Sequence, residues 1–535
     1  MRLEEIRREF HPVLPKALRG CKLRLQEDPK GNFQAKDASV ESAFPHTFHH
    51  PLLWVSTEGK EKIPPKKQTI RVGVVFSGGQ APGGHNVIAG IFDALQERFT
   101  DPTLIGFIGG PEGILENQTT LLTKEKVDLY RNQGGFDLLG SGRTKIEGKK
   151  AIEKAYQNSK DLRLQGLVII GGDDSNTNAA VLAEAFSQKD RRIAVIGVPK
   201  TIDGDLQSDY TPISFGFHTA TSVYAEMVGN IAKDASSAKK YYHFIRLMGR
   251  SASHVTLECA LKTQPNFALI SEECLEKKKS VFSVVEELVS LIKKRANQGK
   301  YYGVILIPEG LLEFLTDMKQ LISSINEALF QGVSSVESTL QESEKKLFSA
   351  LPKSIQKQLL MDRDPHGNVQ VSKISTEGLL VAMVEEKLRA FPEVANKFHP
   401  ASHFFVYEGR ASLPSNFDAN YCYSLGKIAA LLLEDGKTGY MASLLHLHKP
   451  VDEWQPLALP IAKMLHTERR KGKEKLVIAK ALVCFSSEAY QTFAKKRGDW
   501  ELSDAYLCPG PMQFFGPSAV VDAHPFSLRK PNLGL

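Results

Sequence analysis

Between residues 66 and 310 short, unbroken apolar runs alternate with stretches whose apolar positions recur every three or four residues. "IRVGVVF" (70–76), "LIGFIGG" (104–110), "LQGLVIIGG" (164–172) and "RRIAVIGV" (191–198) each end in glycine or turn residues. After the first, Val87, Ile88, Ile91, Phe92, Leu95 and Phe99 keep close to a 3.6 period, which predicts a helix. A strand that is apolar at every position is buried on both faces, so the alternation predicts a parallel sheet with helices on either side. A second series follows in "YYHFIRLMG", "NFALISEE" and "YYGVILIPEG" (301–310). From about 311 to 390 the chain turns charged and helical, with "SSVESTLQESEKKLFSALPKSIQKQLL" and no strand signal; "HFFVYEGRASLPSNFD" (403–418) returns to strand and loop, and "GKEKLVIAKALVCF" carries another strand candidate. The expected fold class is α/β, with two doubly wound, Rossmann-like sandwich domains and an α-helical insertion. The expected segments are an extension over 1–65, an α/β domain over 66–213 with a return after about 400, a second over 214–310, the insertion over 311–400, and a segment 401–535 completing the α/β domains.

Composition narrows the class. The chain has 535 residues, 42% hydrophobic and 24% charged, as soluble multidomain proteins do. No apolar run reaches the length of a membrane span, and "LGKIAALLLEDG" reads as a buried helix. "MRLEEIRREFHPVLPK" alternates charges and lacks the apolar centre of a signal peptide. Six scattered cysteines without a CxxC pair suit reduced thiols, so the expected location is cytoplasmic. His46, His49 and His50 of "FPHTFHHP" lie in a proline-flanked loop without nearby carboxylate or cysteine, and read as loop residues rather than metal ligands. The net charge of +7 is small for this length and no Lys/Arg block is interleaved with aromatics, which argues against a nucleic-acid partner and leaves small anions open.

In open parallel sheets ligands bind beyond the carboxyl ends of the strands. The first strand delivers "SGGQAPGGHN" (77–86), either a tight strand–helix turn or a cradle whose backbone N–H groups meet an anion. Its spacing matches neither GxxxxGK[ST] nor GxGxxG. The strand at 164–170 delivers Gly171, Gly172, Asp173 and Asp174, a helix cap or a carboxylate that holds magnesium. "LLGSGRTK" (138–145) presents Arg143 and Lys145, and the strand ending near 198 delivers "PKTIDGD", with Lys200, Asp203 and Asp205 around Gly204. Together these supply positioning, charge neutralisation and a base, the requirements of phosphoryl transfer.

"SGGQAPGGHN", "GGDDSNT", "PKTIDGD", "MGRSASH" and "PEG", in that order, resemble the phosphofructokinase family over roughly residues 66 to 535. The helical insertion, "YEGRASLPSNFD" and "PGPMQFFGP" resemble its long, pyrophosphate-dependent branch. The resemblance implies the phosphofructokinase fold and reversible, magnesium-dependent phosphorylation of fructose 6-phosphate by pyrophosphate. It makes 66–213 the pyrophosphate domain and 214–310 the sugar-phosphate domain. It makes Asp203 the base for the C1 hydroxyl. A carboxylate is a weak base toward an alcohol, but in a loose transition state the proton leaves late. It assigns Lys200 and Thr201 to catalysis beside that base, and Thr201, Ile202 and Asp203 to the sugar substrate; Lys200, Gly78, Gly79 and Arg143 are assigned to pyrophosphate, and Asp173 to magnesium. Asp205 stays open between touching magnesium, orienting Asp203 and holding the loop. Met248, Gly249, Arg250 and Glu309 are assigned to the sugar, and Tyr407, Glu408, Gly409 and Arg410 to the 6-phosphate end. Lys240 and Tyr241 correspond to positions that reach across a subunit interface, which implies a homodimer or larger homo-oligomer.

Asp174 and Lys200 bear on the donor. ATP-using members commonly have glycine where Asp174 stands; a carboxylate there crowds and repels an α-phosphate, while pyrophosphate stops short of it. ATP as donor is the alternative in the same class. A catalytically silent regulatory subunit would be expected to have lost acids of "TIDGD", which this chain keeps. The reading as a dinucleotide-binding oxidoreductase fails because no GxGxxG follows this chain's first strand.

Overall fold

The computed structural model describes the chain apart from residues 1, 21–22, 29–30, 32, 58–65, 190–191, 332, 334, 362–368, 471–472 and 530–535, so Cys21 lies outside the described residues. Two compact units divide it. The first comprises Met1–Ala220, Tyr407–Ala481 and Gln513–Leu528; the second is chiefly Thr221–Val406 and Leu482–Met512.

Strands among the described residues are, in chain order, β1 (Leu23–Glu27), β2 (Leu53–Thr57), β3 (Lys66–Phe76), β4 (Phe99–Phe107), β5 (Thr119–Leu121), β6 (Gly166–Gly171), β7 (Ala194–Pro199), β8 (Tyr241–Leu247), β9 (Phe267–Ala268), β10 (Tyr302–Pro308), β11 (Pro400–Phe405), β12 (Tyr440–Leu445), β13 (Gln455–Pro460), β14 (Leu465–Arg470) and β15 (Lys473–Ile478).

In the first unit nine strands form one sheet in the order β1-β2-β13-β12-β7-β6-β3-β4-β5. The central strands β12, β7, β6, β3 and β4 run parallel. Here the all-apolar runs sit, with Val72, Val74, Val75, Leu167, Val168, Val195 and Ile196 fully buried. β12 and β13 are short, and Pro456 and Pro460 interrupt the apolar signal of β13; sequence patterning passes over both, yet they continue the sheet from β7. The described residues before 58 are part of this unit, since β1 and β2 form its antiparallel edge. Upstream, the buried Arg7 donates to Asn416 Oδ1 (2.9 Å) and to the Pro414 carbonyl (3.0 Å), with its guanidinium 4.4 Å from the ring centres of both Phe10 and Phe514. The three histidines go separate ways: His46 to Glu184 (2.6 Å), His49 to Glu41 (2.9 Å), and His50 stacked on Tyr440. Helix Gly84–Arg98 packs backbone to backbone on helix Asn416–Glu434. A Cβ on Gly90 would lie 2.3 Å from the Tyr423 carbonyl oxygen, and one on Gly426 2.2 Å from that of Val87. "LGKIAALLLEDG" belongs to the second of these helices, and no helix of the described residues is long and apolar enough to cross a membrane.

The second unit holds a parallel sheet in the order β11-β8-β10-β9. "NFALISEE" forms only the two-residue β9 before helix Ser271–Glu276 takes over. Between β10 and β11 the chain is helical, with Thr316–Phe330, Glu342–Ala350, Lys353–Met361 and Thr376–Leu388 as its longer helices. Their apolar faces share one core with the sheet: Leu321, Phe348, Leu359 and Leu380 pack in the same cluster as Tyr242, Phe244 and Ile305. A buried ion pair fastens them, Arg246 Nε of β8 standing 2.7 Å from Glu377 Oε2 while Arg246 Nη1 donates to the Ile374 carbonyl (2.6 Å).

Candidate active site

In the first unit the turns after β3, β6 and β7 are laced together by their main chains. Ser77 N–H donates to Ile170 O (2.9 Å), Gly78 N–H to Gly142 O (2.9 Å) and Lys200 N–H to Gly171 O (2.9 Å). The Ser175 hydroxyl donates to the Ser77 hydroxyl (2.8 Å), joining the first helical turn after β6 to the glycine loop. Gly78 has φ +88°, a conformation that side chains rarely tolerate, and a Cβ there would stand 3.2 Å from Lys200 Nζ. At Gly79 a Cβ would stand 3.0 Å from Arg410 Nη2 and 3.8 Å from Arg143 Nη2. Three cations thus converge where two glycines leave their backbone bare, an arrangement suited to a compact polyanion.

Lys200 is buried, and burial holds its ammonium down to about 8; Asp203 and Asp173 pull it back up, while Arg143 and Arg410 push it further down. Asp203 follows on the same loop, its N–H donating to Thr201 Oγ1 (3.1 Å), and Thr201's carbonyl accepts from Ser214 Oγ (2.8 Å). Ile202 is buried, its side chain in the core. Asp205 is buried too and points away to Lys480, whose Nζ lies 3.2 Å from Asp205 Oδ2 and 3.8 Å from Asp173 Oδ2. Asp173 opens helix Asp173–Lys189. Burial pushes its carboxyl above the ordinary range; Lys480 opposes this, and Asp174 and Asp205 add to it. Asp174 is exposed and pairs with Lys145 at 3.0 Å, so Lys145 is not a bystander. Arg410 donates to Gln80 and lies by the exposed ring of Tyr407. These two, with exposed Glu408 and buried Gly409, belong to the first unit.

The second unit gathers Met248, Gly249, Arg250 and Glu309 at the carboxyl ends of β8 and β10. Gly249 N–H donates to Glu309 Oε2 (3.2 Å). Burial raises the Glu309 carboxyl, against the Gly249 N–H, Arg246 and Arg250. Lys240 and Tyr241 stand at the other end of β8, with the length of the strand, roughly 20 Å of chain, between them and Met248. Within this chain the strand keeps them from Met248, Gly249, Arg250 and Glu309.

Sequence reasoning passed over Lys480, Gln80, Ser77 and Ser175. Lys480 follows the apolar "KLVI", so the strand-end signal was present. Among the described residues the strand before it, β15, pairs with β14 alone, outside the main sheet, so no open parallel sheet ends there.

Residues 71–346 match the family described as Phosphofructokinase. Along nearly its whole length the chain is similar to a pyrophosphate–fructose 6-phosphate 1-phosphotransferase of Porphyromonas gingivalis, 45% identical over 98% of this chain and 97% of that one. It is 48% identical to subunit beta 2 of the enzyme of the same name from Arabidopsis thaliana, over 95% of this chain and 90% of the relative. Among solved structures it superposes on a pyrophosphate-dependent phosphofructokinase from Nitrosospira multiformis with TM-score 0.55 at 16% identity, covering 82% of this chain and 93% of that one. That last likeness concerns the fold alone.

Proposed function

The chain belongs to the phosphofructokinase family, and from that premise we infer that it transfers a phosphoryl group from pyrophosphate to the C1 hydroxyl of fructose 6-phosphate. Fructose 1,6-bisphosphate and phosphate are the products, and the reaction is reversible, serving glycolysis and gluconeogenesis. One observation carries the reading: the buried Lys200 lies under the bare backbone of Gly78, with Arg143 and Arg410 at Gly79 and with Asp203 three residues further along its loop.

The roles follow from chemistry. Gly78 and Gly79 admit the pyrophosphate, and Lys200 and Arg143 neutralise its oxygens as charge moves to the leaving phosphate. Asp203 accepts the C1 proton, with Thr201 beside it. Glu309 accepts from sugar hydroxyls, Met248, Gly249 and Arg250 seat the sugar, and Tyr407 to Gly409 take the 6-phosphate end, while Arg410, set at Gly79 beside Arg143, turns its guanidinium fork to the pyrophosphate end as well as to the sugar phosphate. Asp174, held by Lys145, stands against a nucleotide's α-phosphate. Lys240 and Tyr241, exposed at the far end of β8, serve a second copy of the chain in a homo-oligomer. The location is cytoplasmic, as thiols without a disulfide among the described residues suit.

Magnesium prefers one or two carboxylates and completes its octahedron with water and substrate phosphates. Among the described residues no three His, Cys, Asp or Glu converge as a cage. Asp173 and Asp205 do present oxygens to one and the same cation, the Lys480 ammonium. That donor set fits a magnesium that arrives with pyrophosphate and is held through Asp173, where it would shield phosphate charge.

The test is phosphate release with pyrophosphate or ATP, each with and without fructose 6-phosphate. Turnover with pyrophosphate that requires the sugar phosphate is expected; turnover only with ATP overturns the donor assignment. Asp203→Ser is expected to lower kcat by about two to four orders of magnitude with fructose 6-phosphate binding little changed. A variant that keeps most of its kcat removes Asp203 from the role of base.

A further inference from the structure

We propose that Lys480, at the end of the β14–β15 hairpin, is a positioning residue that sets the catalytic loop against the strand-end carboxylate Asp173. The inference rests on the activity proposed above. It concerns a part of the chain outside residues 71–346, the stretch that matches the family.

Two contacts join the hairpin to the loop. The Lys480 ammonium bridges Asp205 Oδ2 at 3.2 Å and Asp173 Oδ2 at 3.8 Å. The next residue's amide, Ala481 N–H, donates to the Asp205 carbonyl oxygen at 2.8 Å. Asp205 is therefore held by side chain and main chain at once, from the same two residues. Its carboxylate is nearly inaccessible to water, and a buried carboxylate needs a partner charge to stay there. Asp205 and Asp173 come from different turns, after β7 and after β6, and carry like charges. With Lys480 between them they share a cation; without it they repel, and the loop is free to move outward. Asp203 lies two residues before Asp205, across Gly204, whose φ of +74° marks a sharp turn in the loop. A shift of Asp205 is thus passed to the base, and a misplacement of about 1 Å costs on the order of a hundredfold in rate.

The same geometry gives a signature apart from rate. Lys480 places a positive charge beside the carboxylate assigned to the divalent cation. Its removal leaves Asp173 and Asp205 more attractive to a cation in the substrate-free protein, while spoiling the alignment of Asp203. A residue that merely stiffened the fold would not strengthen cation binding as it weakened catalysis.

The experiment uses the full chain with Lys480→Met and Lys480→Arg. Steady-state kinetics with pyrophosphate and fructose 6-phosphate are combined with calorimetric titration of Mn2+ into substrate-free protein. For Lys480→Met we expect kcat about 10–100-fold lower, both KM values within about threefold of the parent, and Mn2+ bound severalfold more tightly. Lys480→Arg is expected to recover most of kcat, because it keeps the charge. A Lys480→Met kcat within about threefold of the parent overturns the proposal, as does Mn2+ binding that is unchanged or weaker. Should Lys480→Met not fold, Lys480→Gln carries the same two readouts. If the parent itself shows no pyrophosphate turnover, the proposed function falls, and the Mn2+ titration alone decides this inference.

Discussion

At the scale of single residues, Lys200 is set apart by its burial, which makes its charge depend on pH near neutrality. Held to about 8 in the folded protein against an ordinary 10.5, it binds fewer protons folded than unfolded between those two values. Its contribution therefore makes unfolding free energy rise with pH across that window, and below about 8 the cost of burying the charge is present in full. Activity should run the other way. We expect kcat/KM for pyrophosphate to fall as pH passes about 8 and kcat to break at higher pH, since a bound polyanion favours the ammonium. Lys200→Arg should abolish the break; a profile flat to pH 10 in the parent refutes the assignment. Asp174 is the second case. Its exposed pair with Lys145 adds little stability, so Asp174→Gly is tolerated by the fold. It should raise kcat/KM for ATP by about one to several orders of magnitude while pyrophosphate turnover declines. No gain with ATP would remove Asp174 as the determinant of donor choice. Much of this site was legible because each strand end carries unusual residues for its place: glycines bare of side chains, paired acids, a lysine after an apolar run. Gln80, Ser77 and Ser175 carry no such mark, because one polar side chain in a turn looks the same whether it holds a neighbour or faces water.

At the scale of elements, one tight constraint is the crossing of helices Gly84–Arg98 and Asn416–Glu434. Alanine stabilises a helix over glycine by about 1 kcal/mol. At Gly426 that gain meets a main-chain oxygen 2.2 Å from the new Cβ, and a backbone cannot rotate aside. Overpacking of this kind costs about 1–3 kcal/mol or more. Gly426→Ala should therefore lower the thermal unfolding midpoint, and a midpoint at or above the parent's would show that the helices separate freely. The central strands β3, β6, β7, β8 and β10 were legible because burial on both faces leaves an unbroken apolar run. β1 and β5 were not, because an edge strand is half solvated; Leu23–Glu27 alternates in burial and reads as polar chain. The N-terminal arm shows the same blindness. Arg7 among charged neighbours looks solvated, yet it is fully buried through contacts some four hundred residues away in sequence.

At the scale of the whole molecule, the helical insertion shares the core of the second unit with its sheet rather than hanging from it. Its tie to the sheet, Arg246 with Glu377, is a buried pair. Breaking one side of such a pair strands the other charge at a cost of about 3–5 kcal/mol. Glu377→Ala should show that loss in urea unfolding followed by a signal from the second unit; an unchanged transition would mean that Arg246 finds water. The first unit carries a different consequence, one of time. Its parallel sheet pairs β7 with β12, so the strand that leads into the Lys200–Asp205 loop lacks one neighbour until Tyr440 and the residues after it exist. Roughly 240 residues separate Pro199 from Tyr440, and a ribosome adding about 5–20 residues per second takes on the order of 12–50 s to supply them. For that interval the growing chain presents an apolar strand edge with unsatisfied amides, a template for pairing with the wrong partner. The cell must shield it, and yield at higher temperature should depend on chaperones more than the finished protein's stability suggests.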